Sequence, residues 1–178
     1  YAAMESRLWQ CMHAILCPSA STARALTEAG VSVDRIAIVP PGTERPASIM
    51  QRTTSDPLRL LSVGTLCIRK GQDLLIEALA ELKSLPWVLE CIGSAERSPA
   101  YADALRASIA RHALEKRVTL RGELPPSQLG SAYAAADVFV LPSFHEGYGM
   151  AYAEALVNGL PVIGTTGGAI ADTVPTSA

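Results

Sequence analysis

The sequence lacks the features that would assign it to several common classes of protein. Its 178 residues carry a formal net charge of −2, so no global basic field attracts nucleic acid. The longest apolar stretches, such as residues 132–141, are interrupted by Asp137 and are too short to span a bilayer. There is no internal repeat and no low-complexity segment. Membrane-spanning and nucleic-acid-binding proteins are therefore disfavoured.

Sequence motifs that bind metals and dinucleotides are also missing. The four cysteines, Cys11, Cys17, Cys67 and Cys91, form no C-x-x-C pair, which favours reduced thiols in the cytosol over a zinc site. No Asp-x-Asp motif is present. The residues that follow the first strand of the main domain lack the G-x-G-x-x-G pattern of a dinucleotide-binding domain. We therefore expect a cytoplasmic protein without disulfides and without a cysteine-bound zinc ion.

What the chain does contain is a regular alternation of apolar runs and amphipathic segments. With 49% hydrophobic and 18% charged residues, it has the composition of an ordinary α/β domain. Strands are predicted at residues 58–63, 88–93, 118–120, 138–141 and 161–164. Helices are predicted between them, at residues 72–83, 100–112, 127–136 and 149–157. This alternation predicts a doubly wound, mostly parallel sheet with helices on both faces.

The first 46 residues follow a pattern of their own. A strand is predicted at residues 14–17, a helix at residues 19–29 and a second strand at residues 35–39. Ser19 or Ser21 is expected to cap this helix, and Gly30 is expected to end it. Prolines then break the regularity, and the polar residues 47–56 are predicted to form a linker to a domain over residues 57–178.

A glycine-containing turn follows one of the predicted strands, directly before a helix. Gly147 and Gly149 lie in this turn, with Glu146 in front of them and Glu154 about one turn inside the helix. A helix start offers unpaired N–H groups and partial positive charge, and glycines let an anion approach the backbone. The turn is therefore a predicted phosphate-binding loop.

Two adjacent cations, Arg69 and Lys70, follow the first strand of the same domain. They stand just before a predicted helix start, where positive charge is unfavourable unless an anion faces it. A bound diphosphate would supply that anion; alternatively, the two charges are solvated in a surface loop. Because open α/β sheets bind ligands outside the carboxyl ends of their strands, we expect this pair and the glycine turn to share one edge of the sheet.

Four motifs in this order and spacing resemble those of a known family. They are residues 63–71, Glu146-Gly-Tyr-Gly-Met with Glu154, Gly159-Leu-Pro-Val162, and Gly167-Gly168. Together they resemble the donor-binding half of retaining GT-B glycosyltransferases. The relatives are glycosyltransferase family 4, the "glycosyl transferases group 1" domain, which includes sucrose synthases and bacterial glycogen synthases. The resemblance implies a Rossmann-like C-terminal domain of a GT-B fold, truncated at its C-terminus, with residues 1–46 as the end of the acceptor-side domain and the crossover.

The resemblance also implies an activity. It is transfer of a hexosyl unit from a nucleoside diphosphate sugar to an acceptor, with retention at the anomeric carbon and with neither a cofactor nor an obligatory metal. Glu146 would orient the donor sugar and Lys70 would stabilise the departing diphosphate, which makes these two the catalytic candidates. The residues implied in donor binding are Gly64, Arg69, Lys70, Glu146, Gly147, Tyr148, Gly149, Met150 and Glu154, the last through the ribose hydroxyls. Thr65 stands where the family usually has an arginine, and Arg69 would provide the second cation instead.

Three further segments gain expected roles from the resemblance. Residues 121–124 would flank the nucleotide base. Gly167 and Gly168 would let the backbone approach the donor sugar. Asp172 stands where relatives often carry a glutamate, and it is either a surface residue or a helix cap.

Other interpretations of the same residues stay open at this point. A sugar-nucleotide epimerase shares the architecture, and a non-catalytic nucleotide-binding module would need only the phosphate loop. A glycosidase would need Glu146 and Glu154 on either side of one sugar ring, which a glycine-rich helix start fits less well. We expect the acceptor, a glycan, lipid or small molecule, and any contact with the inner face of the membrane to depend on the missing domain. The chain alone is expected to be inactive.

Overall fold

The computed structural model of the chain describes residues 8–9, 11–46 and 54–174. Most of the predicted linker and the last four residues lie outside this range. The division of the chain at residues 46 and 56 stays a prediction.

The first described part consists of two short strands and the helix between them. These elements are β1 (Ile15–Cys17), α1 (Ala20–Glu28), a 3-10 turn (Val33–Arg35) and β2 (Ile36–Ile38). The two strands pair in parallel as a separate two-stranded sheet. The hydroxyl of Ser19 accepts a hydrogen bond from the N–H of Thr22 at 3.1 Å, which caps α1. Gly30 adopts a φ of +92° just after the helix and its N–H bonds to the carbonyl of Thr27, so the predicted helix end is confirmed.

The rest of the described chain alternates strand and helix. The elements are β3 (Leu58–Val63), a 3-10 turn (Ile68–Lys70), α2 (Gln72–Glu81), β4 (Trp87–Ile92), α3 (Pro99–Arg111), β5 (Val118–Gly122), α4 (Pro126–Ala135), β6 (Val138–Leu141), α5 (Met150–Val157), β7 (Val162–Gly164) and α6 (Ile170–Thr173). Every strand and helix predicted from the sequence is confirmed, with its ends within two residues of the prediction. Helix α6 was not predicted.

The order of the strands places the site. Strands β3 to β7 form one parallel sheet in the order β5-β4-β3-β6-β7, as the predicted doubly wound class requires. The chain adds strands outward from β3 on one side, and after β5 it crosses back to add β6 and β7 on the other. After β3 the chain therefore continues toward one edge of the sheet and after β6 toward the other, and this topological switch point is where open α/β sheets bind ligands.

Helices cover both faces of this sheet, and each face has its own apolar core. On one face, Leu75 and Leu79 of α2 pack with Leu105 of α3 against the strands. On the other face, α4 and α5 contribute Tyr133 and Tyr152, and both rings lie near the Phe139 ring of β6. Folding therefore buries large apolar areas on both sides of the sheet. This close packing makes the strands a rigid base for their loops.

Tyr152 joins the second core to the start of α5. Its hydroxyl donates to the carbonyl of Leu141 at the end of β6. A Cβ at Gly149 would lie 2.9 Å from the Tyr152 ring, and one at Gly164 would lie 2.7 Å from it. Gly149 also has a φ of +98°, which a residue with a side chain rarely adopts. This packing fixes the first turn of α5 relative to the sheet edge.

All four cysteines are free thiols, and Cys17 and Cys91 are buried. Burial raises the pKa of Cys91 to about 12, so this thiol stays protonated near neutral pH. Within the described ranges, no helix has both the length and the apolar character needed to cross a bilayer.

Candidate functional site

The loops after β3 and β6 lie side by side at the switch point. The N–H of Phe144 donates to the carbonyl of Arg69 at 2.8 Å, which ties one loop to the other. Gly71 has a φ of +67°, and a Cβ there would lie 2.3 Å from the carbonyl oxygen of Pro142. Only glycine permits this close approach. The two contacts confirm the prediction that the cation pair and the glycine turn share one edge of the sheet.

Glu146 is the centre of a charged cluster formed by these loops. Its carboxylate is buried and lies 2.6 Å from the Nζ of Lys70 and 3.1 Å from an Nη of Arg69. The hydroxyl of Ser143, which is fully buried, donates to the same carboxylate at 2.7 Å. Arg69 also donates to the carbonyl of His145 at 2.6 Å. Glu146 thus supplies an anion beside Arg69 and Lys70, so the two cations are not merely solvated, and the predicted diphosphate beside them stays a prediction.

This arrangement determines the charge of Glu146. Burial raises its pKa, but the hydrogen bonds from Lys70 and Ser143 and the charges of Lys70 and Arg69 outweigh burial. The pKa of Glu146 therefore lies below its ordinary value, and the group is an anion near neutral pH. Glu146 is therefore not an ordinary surface glutamate.

The turn between Glu146 and α5 presents several unpaired N–H groups. Among the described residues, no acceptor contacts the N–H groups of Gly147, Tyr148, Gly149 or Met150. A Cβ added at Gly147 would meet no atom within 4 Å, and the φ of Gly147 is not in the left-handed region. Neither packing nor backbone geometry therefore explains glycine at position 147, while an approaching ligand would need the space beside it.

Gly167 and Gly168 pack against the backbone of Phe144 and Glu146, directly before this turn. A Cβ at Gly167 would lie 2.2 Å from the carbonyl oxygen of Phe144, and one at Gly168 would lie 2.3 Å from that of Glu146. The N–H of Ala169 donates to the Glu146 carbonyl at 2.8 Å. Close backbone packing is enough to explain both glycines, and their predicted approach to a donor sugar stays a prediction.

Glu154 lies on α5, four residues after the first residue of the helix. The hydroxyl of Tyr133 donates to its carboxylate at 2.7 Å, and burial together with this contact raises the pKa of the phenol. Glu154 faces a cavity of about 370 Å³. We call it the Glu154 cavity; its lining also includes residues 42–46, Pro126, Leu129, Gly130, Tyr133, Met150 and Asn158.

A second cavity opens at the carboxyl ends of β3, β4 and β5. We call it the Gly64 cavity; its volume is about 470 Å³ and it is lined by Val63, Gly64, Thr65, Ile92, Gly93, Ser94, Glu96, Arg97, Glu123, Leu124 and Leu129. Of residues 121–124, predicted to flank a base, Glu123 and Leu124 line it, whereas Arg121 is paired with Glu90 at 2.6 Å. Leu129 lines both cavities, so the two are neighbours.

Gln72 supports the loop after β3, and sequence analysis assigned it no role. Its side chain is 1% exposed, and its Nε2 donates to the carbonyls of Gly64 and Thr65 at 3.4 and 3.2 Å. The side chain of Lys70 covers Gly64, since a Cβ there would lie 3.2 Å from the Lys70 Cε. The missed signal was a polar residue at a position of the apolar stripe of α2, three residues before Leu75.

The start of α1 contacts the glycine turn, which was also missed. The hydroxyls of Ser19 and Thr22 donate to the carbonyl of Gly147 at 2.7 and 3.1 Å. The N–H of Ser21 donates to the carboxylate of Asp172 at 2.7 Å, so Asp172 is an exposed residue that caps α1 from another part of the chain. Ser143 and Tyr133 were missed too, and for these contacts no local pattern in the sequence gives a signal, because most of the partners are far apart in the chain.

Among the residues that the structure describes, no three His, Cys, Asp or Glu side chains come together as a metal site. The chemistry available at this edge is thus a buried anion with two cations, a row of free N–H groups and two adjoining cavities.

Comparison with known proteins identifies the family. The family model described as "Glycosyl transferases group 1" matches residues 47–176. A D-inositol 3-phosphate glycosyltransferase from Segniliparus rotundus is 33% identical over 155 residues, which cover 79% of the chain and 34% of the relative. The chain thus spans about a third of the length of the curated relatives that it matches.

Solved structures share the fold. The Anabaena protein Alr3699/HepE, solved in complex with UDP and glucose, superposes with a TM-score of 0.81 at 22% identity, covering 97% of this chain and 50% of that one. Sucrose-phosphate synthase from Thermosynechococcus elongatus gives a TM-score of 0.79 at 26% identity, with 94% and 44% covered. With the family match over residues 47–176, this similarity shows that the chain belongs to the glycosyl transferases group 1 family, as the C-terminal, donor-binding half of a GT-B fold.

Proposed function

We propose that the turn at residues 147–150 binds the diphosphate of a nucleoside diphosphate sugar, and that the complete enzyme transfers a hexosyl unit from it with retention. The observation that carries the proposal is the row of unpaired N–H groups beside Lys70 and Arg69, with open space at Gly147. Free N–H groups at a helix start and adjacent cations are the two features that bind phosphate in proteins. Support comes from the family and from relatives named as glycosyltransferases.

In this proposal the cations exchange partners. A diphosphate at the turn accepts hydrogen bonds from the backbone and draws Lys70 and Arg69 from the carboxylate of Glu146. The cations then stabilise the charge that develops on the diphosphate as its bond to the sugar breaks. Glu146, left with Ser143, accepts a hydrogen bond from a hydroxyl of the donor sugar and orients it. No side chain in this half acts as a base, because the leaving diphosphate oxygen takes the proton of the acceptor.

The nucleoside occupies the two neighbouring cavities. Glu154, held by Tyr133, has one carboxylate in the Glu154 cavity, where it accepts hydrogen bonds from the vicinal hydroxyls of a ribose. The base extends past Leu129 into the Gly64 cavity and lies against Leu124. A carboxylate suits two vicinal hydroxyls because both of its oxygens accept hydrogen bonds.

The acceptor and the remaining contacts to the donor sugar belong to the part of the enzyme that this chain does not span. Transfer requires an acceptor oxygen held against the anomeric carbon, and a misplacement of about 1 Å can reduce the rate about 100-fold. We therefore propose that the chain alone binds the donor but does not transfer the sugar, and that neither step needs a metal.

Calorimetric titration with UDP, GDP and ADP, each with magnesium and each with a chelator, tests the proposal. One of the three should bind equally well under both conditions. Lys70→Ala should lower the affinity for that diphosphate about 10-fold or more, which is the contribution of a charge-assisted hydrogen bond. It should leave the affinity for the matching nucleoside unchanged. Gly147→Ala should leave the melting temperature unchanged, because the added methyl group meets no atom of the protein. It should lower the affinity for the diphosphate, because the methyl group fills the open space that the ligand needs.

Lys83→Ala is the matched control, because Lys83 is exposed and follows α2 on the surface. It should bind the diphosphate as the wild-type chain does. Equal losses for nucleoside and diphosphate in Lys70→Ala would remove Lys70 from the phosphate site, and strict magnesium dependence would contradict the metal-free proposal.

A further inference from the structure

The carbonyls of three successive residues in the glycine turn are each held by a donor. The carbonyl of Glu146 accepts from the N–H of Ala169 at 2.8 Å, and the carbonyl of Tyr148 accepts from the hydroxyl of Thr173. Both of these donors lie at or beside α6. The carbonyl of Gly147, between them, accepts from a different part of the chain, because its donors lie at the start of α1.

Anchored carbonyls determine where the N–H groups point. A trans peptide is planar, with its carbonyl and its N–H on opposite sides, and the only cis peptide recorded among the described residues is Asp56–Pro57. The N–H of Tyr148 therefore points away from α1, because the carbonyl of Gly147 points toward it. By the same reasoning, the donors on α6 direct the N–H groups of Gly147 and Gly149. These are the N–H groups without an acceptor among the described residues.

Glycine makes these anchors necessary. Gly147 and Gly149 flank Tyr148, and glycine lets the adjoining peptides rotate with little steric resistance. A flipped peptide between Gly147 and Tyr148 would present a carbonyl oxygen where an anion is expected, and the two would repel each other. The anchor on Gly147 is thus the one that prevents this flip.

We propose that Ser19 and Thr22 are positioning residues for the donor site: by holding the Gly147 carbonyl they keep the Tyr148 N–H directed at the diphosphate. This inference rests on the proposed function. It makes the donor site depend on a helix that lies before the segment matched by the family model, at residues 20–28.

The contact is built in a way that an incidental surface contact would not be. Ser19 is 3% exposed, and its hydroxyl both caps α1 and donates to Gly147. The first turn of α1 contains no acidic residue of its own, and the carboxylate of Asp172 supplies the missing negative charge at the N–H of Ser21. Asp172 and Thr173 are neighbours in the chain, so one short helix holds both α1 and the Tyr148 carbonyl.

The test compares the two hydroxyls that contact Gly147 with a third hydroxyl on α1 that does not. Thr22→Val removes the hydroxyl that reaches Gly147 and keeps the branched shape, and Ser19→Gly removes the other donor at a small capping cost. Thr27→Val is the control, because the Thr27 hydroxyl donates to Ala23 within α1 and lies away from the turn. Each variant of the full 178-residue chain is titrated with UDP, GDP and ADP and with uridine, guanosine and adenosine, and melted without nucleotide.

Loss of two neutral hydrogen bonds predicts that the Ser19→Gly/Thr22→Val chain binds its diphosphate about 10-fold more weakly and Thr22→Val about 3-fold more weakly. Nucleoside affinity should change less than 2-fold in both, as should diphosphate affinity in Thr27→Val. A lower melting temperature with unchanged diphosphate affinity would show a purely structural contact and overturn the inference while leaving the proposed function intact. If the wild-type chain binds none of the three diphosphates, the proposed function fails, and the inference fails with it.

Discussion

Replacing Glu146 with glutamine tests the charged cluster directly, because the substitution keeps the shape of the side chain and removes only its charge. In the structure the carboxylate neutralises Lys70, whose side chain is 13% exposed, and Arg69, whose side chain is 49% exposed. Glutamine can still accept a hydrogen bond from Ser143 and from Lys70. What it removes is the electrostatic part of both ion pairs.

The two pairs contribute unequally to the free energy of unfolding. The hydrogen bond between Lys70 and Glu146 is mostly buried and joins two charged groups, for which about 1.5 to 3 kcal/mol is typical. The half-exposed Arg69 contributes at most about 1 kcal/mol, because solvent screens it. We expect Glu146→Gln to destabilise the chain by about 2 kcal/mol, since the amide keeps a neutral hydrogen bond. That loss lowers the melting temperature by roughly 4 to 8 °C.

The same substitution should have the opposite effect on ligand binding. Under the proposed function, a diphosphate has to replace Glu146 as the partner of Lys70 in the wild-type chain, whereas in Glu146→Gln this competing anion is gone. We expect the diphosphate to bind about 10-fold more tightly, which corresponds to about 1.4 kcal/mol. A lower melting temperature without nucleotide and a larger nucleotide-induced rise are therefore predicted together.

Thermal melts and calorimetric titrations of four chains measure both effects: the wild type, Glu146→Gln, Lys70→Met and the double variant. The double-mutant cycle should give a coupling between the two residues of about 2 kcal/mol. Glu81→Gln is the control, because Glu81 is an exposed residue at the end of α2. Weaker diphosphate binding in Glu146→Gln, or a coupling below about 0.5 kcal/mol, would refute the exchange of partners.

Two further predictions concern other carboxylates. Glu154→Ala should lower the affinity for a ribonucleoside diphosphate about 10-fold and leave the affinity for its 2′,3′-dideoxy analogue unchanged. Calorimetric titration with the two ligands measures this difference, and equal losses of affinity would show that Glu154 has a structural role. The hydroxyl of Ser108 and the ring of His112 hold the pKa of Glu77 below its ordinary value of 4.5, so Glu77 stabilises the fold above that pH and loses this contribution as the pH falls through its folded pKa. Urea unfolding of Glu77→Gln should show a lower stability than the wild type at pH 7 and a smaller fall between about pH 5 and pH 3; parallel acid limbs would contradict this.

The fold follows from the sequence because its signals are local. Apolar runs of strand length alternate with amphipathic segments of helix length, and this alternation leaves few topologies other than a parallel, doubly wound sheet. The ends of α1 follow from Ser19 and Gly30, since capping depends on residues next to each other in the chain. Helix α6 was not predicted because four residues are too short for a period to show.

The location of the site was predictable, but its contacts were not. The order of the strands brings the loops at residues 64–70 and 142–149 together, and the rule that ligands bind at the carboxyl edge follows from topology alone. The pairing of Lys70 with Glu146 depends on distances across 76 residues of chain, which periodicity does not encode. The contact between Ser19 and Gly147, across 128 residues, is missed for the same reason.

The buried carboxylate of Glu146 has a consequence for ligand choice under the proposed function. Inorganic phosphate or a plain nucleoside diphosphate satisfies the cations but leaves Glu146 with Ser143 as its only donor, and a buried charge without enough partners is costly. A ligand that also brings a hydroxyl to Glu146 restores what the carboxylate lost. The cluster therefore favours a diphosphate joined to a sugar over the diphosphate alone. The negative charge of Glu146 lowers the affinity for simple anions and by doing so selects the sugar-bearing donor.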